Sequence, residues 1–241
     1  MGRVKRGLLP DSEIAQKVKS TILLPVGTVV GVFGAARDIS LTFDDGPDLD
    51  VTPKMLAVLR RHGAKATFFM LVEHAAARQA LVRQVLDEGH EIGLHFDVHD
   101  RITDLPPGTA FRRMRQAKRD LADLAGPISL FRPPYGSQNY ATYSMARMLG
   151  LTVVCWNRFT LDTVGPTPED GARPATEHLR GGDIVLMHDG LELGPDDPRP
   201  TVDRSEVADL VLSGASERGL RSVTVGSLLA RRKPQRSHWF R

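Results

Sequence analysis

Cysteine is almost absent from this chain of 241 residues: the single one, Cys155, lies inside an apolar run. One thiol cannot form a disulfide within the chain, so the sequence excludes a fold held together by a disulfide framework. The absence of paired cysteines agrees with a reducing compartment. Stability must therefore come from a buried apolar core, and a chain of this length can bury a large one within a single domain.

Strong net charge and long hydrophobic runs are also lacking. The formal charge is only +3. Much of the basic excess lies in residues 112–119, which we interpret as a solvated helix face, and in residues 231–241, so we expect no nucleic acid partner. The apolar segment 22–36 is interrupted by proline and glycine and is shorter than the roughly 20 residues that span a bilayer. The polar stretch before it is atypical of a signal peptide. The sequence thus predicts no stable membrane insertion and a cytoplasmic protein, with export as the alternative.

What the sequence does contain is an alternation of short apolar runs with helical or long loop segments. Counting from residue 39, seven runs predict strands, at 39–43, 66–70, 91–94, 130–132, 152–156, 184–187 and 221–225. Helical patterns lie between them, among them 79–88, 109–124, 140–149, 176–179 and 205–212. Such alternation indicates a parallel sheet, open or closed into a barrel. A valine-rich run at 28–33 predicts one earlier strand.

Polar residues with potential chemistry follow these predicted strands at their C-terminal ends. They are Asp44, Asp45, His95, His99, Arg132, Asp162 and His188. In a (β/α) barrel the catalytic residues come from the C-terminal ends of different strands, so all seven could converge on one face.

His95 and His99 are four residues apart, a spacing that lets two imidazoles reach one metal ion. With a carboxylate from Asp44 or Asp45 as the third ligand, the set would leave positions open for water and substrate, as a catalytic metal requires. A structural interpretation fits the same pairs equally well: the aspartates would cap the following turn, and the histidines would bond to the backbone.

Four segments together resemble the successive signatures of the polysaccharide deacetylase family, the NodB-type carbohydrate esterases of family 4. They are TFDDGP at 42–47, GHEIGLH at 89–95 followed by His99, RPPYG at 132–136 and LMHD at 186–189. The resemblance implies an α/β fold, a distorted (β/α) barrel with about seven parallel strands. We accordingly divide the chain into a lead-in with one strand packing on the barrel (1–38), a catalytic NodB-type domain (39–230) and a basic, disordered tail (231–241).

The resemblance also implies a division of labour at the two carboxylates. Asp45, His95 and His99 would hold one divalent metal ion, zinc in the first place, with cobalt, nickel or manganese as alternatives. Asp44 would be the general base that takes a proton from the water activated by the metal. Arg132 would pair with Asp44 and keep it ionised and oriented.

Further residues would act on the leaving group and the acyl group, again by resemblance. His188 would be the general acid that protonates the leaving amine, and Asp162 would orient and charge that histidine. The backbone N–H of Tyr135 would help to stabilise the oxyanion, and Leu186 would form part of a small apolar pocket for the acyl methyl group. Two more substrate-binding residues are expected, Pro134 and Trp156.

The chain departs from the family pattern near the site. Phe96 stands where the family usually has Ser or Thr supporting the metal loop, so we expect Asp97 or Asp100 to brace that loop instead. Asn157 stands where an aspartate is common. Thr163 replaces an aromatic that walls the acetyl pocket, which predicts a more open acyl site.

The predicted function is that of a metal-dependent N-deacetylase, a hydrolase of linear amides. Its substrate would be an N-acetylated amino sugar, as a small or soluble glycoside. The alternatives are an exported peptidoglycan or chitin deacetylase, a deformylase or deacylase of a non-sugar amide, and a non-catalytic glycan-binding homologue. The last is disfavoured because Asp44, Arg132 and His188 are all present.

Overall fold

Apolar runs at the predicted positions build the main sheet. The computed structural model of the protein describes residues 27–192 and 200–239. Its main-sheet strands are β2 (Asp38–Asp44), β3 (Ala66–Leu71), β4 (Glu91–Phe96), β5 (Leu130–Phe131), β6 (Thr152–Val153), β7 (Arg158–Phe159), β8 (Ile184–His188) and β9 (Arg221–Ser222). Seven of them pair in the order β6-β5-β4-β3-β2-β8-β7, all in parallel, and form a curled half-barrel. The predicted barrel of about seven parallel strands is confirmed.

Two details of the sheet differ from the prediction. The short strand β7 was not expected, because two residues carry no periodicity and its pairing with β8 is a tertiary contact. The last predicted strand shrinks to β9, which pairs with the start of β2 at Asp38 and Ile39 and lies outside the main strand order.

Helices cover the outside of the sheet. They are α1 (Val51–Arg61), α2 (Val72–Ala77), α3 (Gln79–Asp87), α4 (Pro107–Ala125), α5 (Tyr140–Met148), α6 (Pro168–Thr176), α7 (Arg204–Glu217) and α8 (Val225–Arg231). Short 3₁₀ turns occur at Ile102–Asp104 and Pro134–Gly136. The helix predicted at 176–179 is misplaced: α6 ends there. It begins after Thr167, whose hydroxyl accepts from the N–H of Asp170 as an N-cap.

Side chains of the sheet face two cores. On β8, Val185 and Met187 belong to the core beneath the helices, whereas Ile184 belongs to a smaller core inside the half-barrel, together with Phe69 and Val154. Because side chains alternate along a strand, Leu186 and His188 lie on the inner face with Ile184. The parallel register also places Asp44 of β2 directly beside His188 of β8.

A second, two-stranded sheet packs against the gap in the half-barrel. Strand β1 (Thr28–Val32) pairs antiparallel with β10 (Pro234–Ser237). Strand β1 also bridges to Val154, next to the edge strand β6, and to Asp183, which directly precedes β8. It thus links the two sides of the half-barrel across the gap between β6 and β7. The expected disordered tail at 231–241 is therefore wrong as far as residue 239, because α8 and β10 occupy it. Strand β10 pairs with β1, near the other end of the described residues, and the local sequence of the tail gives no signal for that pairing.

Part of the predicted lead-in, residues 1–26, lies outside the described residues, as do residues 240–241 of the tail. Within the described part of the chain, no helix has both the length and the apolar character to cross a membrane.

Candidate active site

The end of β2 turns its two carboxylates in different directions. Asp44 is the last residue of the strand, and Asp45 follows with a positive φ of 72°, a conformation that aspartate tolerates better than most residues. Both side chains are buried, 4% and 5% exposed. The backbone oxygen of Asp44 accepts from the N–H groups of Asp189 and Gly190, which follow β8.

Asp44 is paired with a fully buried arginine. Nη1 of Arg132 donates to Oδ1 of Asp44 at 2.7 Å and to the hydroxyl of Thr42 at 2.8 Å. Its other nitrogens donate to the carbonyls of Val154 and Cys155. A buried ion pair is stable only when its remaining donors are satisfied, and here the guanidinium has acceptors on three sides. The structure thus fixes one oxygen of Asp44 beside a permanent positive charge.

Asp45 faces the two histidines instead. Its Oδ1 lies 3.1 Å from Nε2 of His95 and 3.3 Å from Nε2 of His99, and the three ligand atoms lie within 4.8 Å of one another. Burial raises the pKa of Asp45, but the neighbouring His95, His188 and His99 together lower it to about 2. Despite the short distances, Oδ1 of Asp45 is buried with no hydrogen-bond partner. An orphaned anionic oxygen facing two imidazole nitrogens fits a shared divalent cation.

The loop that carries His99 is braced from α4. Arg113 donates to both carboxylate oxygens of Asp97, at 2.7 and 2.9 Å, and reaches Asp100 at 2.7 Å. These hydrogen bonds, first to Asp97 and then to Asp100, raise the pKa of Arg113 against the effect of desolvation. Phe96, fully buried at a φ of 126°, packs its ring 5.0 Å below the same guanidinium. The expected brace is thus supplied by both aspartates through Arg113, and the interpretation of 112–119 as wholly solvated is wrong at that residue.

His188 is bound twice by one carboxylate. Its Nδ1 lies 3.1 Å from Oδ1 of Asp162, and its backbone N–H donates to Oδ2 at 2.7 Å. The hydroxyl of Thr160 donates to Oδ1 of Asp162 at 2.9 Å. Desolvation lowers the pKa of His188, but Asp162, and after it Asp45 and Asp44, raise the pKa to about 9. The imidazole is therefore positively charged at neutral pH.

The turn after β5 forms one lip of the site. Tyr135 has a positive φ of 59°, and its ring, more than half exposed, lies 4.3 Å from the ring of His99. The guanidinium of Arg101 covers the tyrosine ring at 4.6 Å. Pro134 of the same turn is buried, and its substrate-binding role stays a prediction.

Opposite residues of β7 and β8 provide the apolar part of the site. Leu186, two residues before His188, is 9% exposed and pairs in register with Phe159, which is 46% exposed. Trp156 is half-buried, with its ring 5.5 Å from the guanidinium carbon of Arg132.

Residues 34–154 match the family model described as polysaccharide deacetylase, which is half of the chain. This protein belongs to the polysaccharide deacetylase family. It is thereby a hydrolase that acts on amide carbon–nitrogen bonds.

Curated relatives and solved structures agree with this assignment. The chain is 36% identical over 196 residues to a peptidoglycan-N-acetylglucosamine deacetylase of Bacillus cereus, covering 79% of this chain and 87% of the relative. It is 32% identical to a chitooligosaccharide deacetylase of Azorhizobium caulinodans, covering 63% of this chain and 73% of the relative. By contrast, it spans only 32% of the length of PgdA, a peptidoglycan-N-acetylglucosamine deacetylase of Listeria monocytogenes.

Similar structures include a peptidoglycan N-acetylglucosamine deacetylase, with a TM-score of 0.76 at 26% identity, covering 86% of this chain and 94% of the other. They also include a family 4 carbohydrate esterase from Streptomyces lividans, with a TM-score of 0.70 at 27% identity, covering 83% and 98%.

In this polysaccharide deacetylase a further histidine supports the Asp45 turn. Nδ1 of His74 lies 2.8 Å from the backbone oxygen of Asp45, and Nε2 lies 2.9 Å from Oε1 of Glu192. Sequence reasoning assigned His74 no role. No motif surrounds it, and its contacts are made by residues distant in sequence.

A buried carboxylate lies beneath the same turn. Asp189 is fully buried, accepts from the hydroxyl of Thr52 at 2.6 Å through Oδ2, and leaves Oδ1 without a hydrogen bond. Burial raises the pKa of Asp189 to about 7, although Thr52 and Arg204 oppose the rise. A Cβ on Gly46 would lie 2.2 Å from Oδ2 of Asp189, so only glycine fits there. The LMHD segment contained this aspartate, but its role remained hidden because packing against Gly46 is a tertiary contact.

Asn157 serves the sheet rather than the site. Its Nδ2 donates to Asp183 at 2.8 Å and its Oδ1 accepts from the N–H of Ile184. Asn157 stands where the family commonly has an aspartate, and these two contacts tie it to the start of β8. Thr163 is partly exposed. The more open acyl pocket expected from this residue stays a prediction.

Proposed function

We propose that this polysaccharide deacetylase is a metal-dependent N-deacetylase that hydrolyses the acetamide of an N-acetylated amino sugar in a soluble glycoside. The observation that carries the proposal is that the two adjacent carboxylates have different partners. Asp45 faces two imidazoles with an orphaned oxygen, while Asp44 is held by a buried guanidinium. Side by side in sequence, they are suited to unlike tasks.

The metal ligands in this proposal are Asp45, His95 and His99. The ion is zinc in the first place, with cobalt, nickel or manganese as alternatives, because two imidazoles and one carboxylate suit these metals and leave positions open. When bound, a divalent cation supplies Lewis acid chemistry, lowering the pKa of water and polarising a carbonyl oxygen.

Asp44 acts as the general base. Arg132 engages its Oδ1, so we assign Oδ2 as the oxygen that takes a proton from the attacking water. The neighbouring guanidinium orients the carboxylate so that Oδ2 stays free of Arg132. A new bond then forms between the water oxygen and the amide carbon.

His188 acts as the general acid. Its Nδ1 is engaged by Asp162, so Nε2 is the atom that delivers a proton to the amide nitrogen. The carbon–nitrogen bond breaks as that proton arrives, and the products are acetate and the free amino sugar. The backbone N–H of Tyr135 is suited to stabilise the oxyanion, and Leu186 to contact the acetyl methyl group.

The choice of substrate rests on the relatives and on the open face of the site. The relatives are named for peptidoglycan N-acetylglucosamine and for chitooligosaccharide. The exposed rings of Tyr135 and Phe159 offer aromatic surfaces beside the proposed catalytic groups. A soluble chitooligosaccharide combines these features with the cytoplasmic location predicted from the sequence.

Acetate release tests the proposal. Purified protein loaded with Zn²⁺ is assayed on chitooligosaccharides, on monomeric N-acetylglucosamine and on peptidoglycan, with acetate and new free amines measured together. We expect equal amounts of acetate and amine from the chitooligosaccharides. Turnover of peptidoglycan alone would favour the exported alternative and contradict the soluble substrate. Glycan binding without turnover, unaffected by a chelator, would contradict the hydrolase assignment.

A further inference from the structure

Both tryptophans of the chain meet at the lip of the active site. The sequence contains two, Trp156 and Trp239, and their ring centroids lie 5.2 Å apart in an edge-on arrangement. The backbone of Gly136 lies against both. A Cβ built on Gly136 would be 3.0 Å from Cη2 of Trp156 and 3.2 Å from Nε1 of Trp239. The glycine next to Tyr135 is therefore held between two indoles.

Hydrogen bonds fix this contact. The indole N–H of Trp239 donates to the carbonyl of Gly136 at 2.9 Å. In return, the side-chain amide of Gln138 donates to the carbonyl of Trp239 at 3.3 Å and also to the hydroxyl of Thr28 on β1. Gln138 is 1% exposed. The turn and the C-terminal segment thus each donate one hydrogen bond to a backbone carbonyl of the other.

Trp239 is itself anchored by the small sheet. It lies two residues after β10, whose last residue, Ser237, pairs with Thr28 of β1. Arg236 of β10 donates to the carbonyl of Gly27 at 2.7 Å. The indole is therefore presented to the turn from a strand that pairs with β1, at the gap in the half-barrel.

The turn needs such support. Tyr135 and Gly136 are consecutive residues with a φ of 59°, and a non-glycine residue in the left-handed region persists only where its surroundings over-determine it. The same turn carries the tyrosine ring that contacts His99. A small rotation at Gly136 would displace both the ring and the backbone N–H of Tyr135.

We propose that Trp239 is a positioning residue for catalysis: by holding the carbonyl of Gly136 against Trp156, it fixes the orientation of the Tyr135 turn at the reaction centre. The inference rests on the proposed function and adds a residue that lies outside the 34–154 segment matched by the family model. In this chain the turn at Tyr135 and Gly136 is held by the indole of Trp239, more than a hundred positions away in sequence.

The test compares Trp239→Phe with His238→Ala in the full chain. Phenylalanine keeps an aromatic ring against Trp156 but loses the N–H donor, whereas His238 is an exposed neighbour and serves as the matched control. Hydrogen exchange of the peptide spanning residues 133–139 is followed by mass spectrometry, alongside kcat and KM for chitooligosaccharide, metal content and Tm.

For Trp239→Phe we expect faster exchange within 133–139 and a kcat lower by about threefold to tenfold, because a less constrained turn weakens the hydrogen bond that the Tyr135 N–H donates to the developing oxyanion. KM should change less than about twofold, because the groups that bind the ground state remain. Metal content and Tm should match those of the control.

Three results would overturn the inference: exchange and kcat equal to the control, a change in only one of the two, or a lower Tm with faster exchange throughout the sheet. The last would show that Trp239 stabilises the fold rather than the turn. If the wild-type protein releases no acetate from any glycan, the proposed function fails, and the exchange of 133–139 alone decides whether Trp239 holds the turn.

Discussion

Asp162 binds His188 through both carboxylate oxygens, one to the imidazole Nδ1 at 3.1 Å and the other to the backbone N–H at 2.7 Å. One side chain thus fixes the end of β8 and favours the charged form of the imidazole of its last residue. Because Asp162 is fully buried, its attraction for the imidazolium is weakly screened.

Replacement of Asp162 should shift the pH dependence of catalysis. The pKa of His188, the proposed general acid, is raised to about 9, which favours its protonated form above neutrality. In Asp162→Asn the pKa should fall toward the ordinary value of 6.5, so the alkaline limb of kcat/KM moves to lower pH. At pH 8 the loss from deprotonation alone should be about tenfold or more. A pH profile from 5 to 10 measures this, and an alkaline limb left unmoved would contradict the role of Asp162.

The same pair should make folding stability depend on pH. A histidine whose folded pKa is raised contributes stability that is fully present below its unfolded pKa, near 6.5, and is lost as the pH rises through about 9. Urea unfolding of wild type and Asp162→Asn at pH 6 and pH 10 should therefore show a larger difference at pH 6. An equal difference at both pH values would argue against a charged His188.

The two adjacent aspartates should separate metal binding from turnover. Asp45→Asn replaces the anionic carboxylate that faces His95 and His99 by a neutral amide, so we expect loss of both metal and activity. Asp44→Asn leaves that group untouched and should retain stoichiometric metal while kcat falls by about 10²–10⁴-fold, the usual contribution of a general base. Elemental analysis and acetate release distinguish the two variants. Full turnover in Asp44→Asn with metal bound would refute the assignment of the base.

The salt bridges from α4 should influence the proposed metal site at Asp45, His95 and His99 from a distance. Arg113→Gln removes the brace on Asp97 and Asp100, and groups that orient metal ligands typically contribute about 10–100-fold in affinity. Arg112→Gln is the matched control, because Arg112 lies next to it on the same helix and donates to the hydroxyl of Thr109 within that helix. Competition with a chromophoric chelator measures both variants. Equal affinities would show that the loop holds its shape without Arg113.

Asp189 should oppose folding at high pH. Its folded pKa of about 7 lies above the ordinary 3.8, so stability falls as the pH rises from about 4 to 7 and stays lower above that range. Asp189→Asn removes this dependence while keeping an acceptor for Thr52. The variant should gain up to about 4 kcal/mol relative to wild type between pH 4 and pH 8, as measured by urea unfolding at both pH values. A constant difference would mean that Asp189 does not titrate in this range.

Much of the fold and of the site could be predicted because the signals are local. The strands β2 and β4 are largely apolar runs, and Asp44 and His95 lie at or near their C-terminal ends. Parallel pairing then brings strand ends to one edge, which is why the sequence alone was enough to group Asp44, His95 and His188.

The remainder depends on contacts between distant residues. Strand β7 has two residues, and β10 lies in a segment whose basic composition is typical of a tail. His74 carries no local signal for its approach to Asp45, and Trp239 none for its bond to Gly136. In each case the residue meets its partner only when the barrel is assembled. The composition of the segment indicates only whether it prefers solvent.

The pairing of Asp44 with His188 in neighbouring strands has a consequence for how such an enzyme can change. The separation of their Cα atoms is set by the spacing of hydrogen-bonded strands, about 4.8 Å, and not by any loop. A slip of one residue would send one of the two side chains to the opposite face of the sheet. Loops around the mouth of the site can therefore be lengthened, shortened or exchanged, while His188, the proposed proton donor, and Asp44, the proposed proton acceptor, keep their distance.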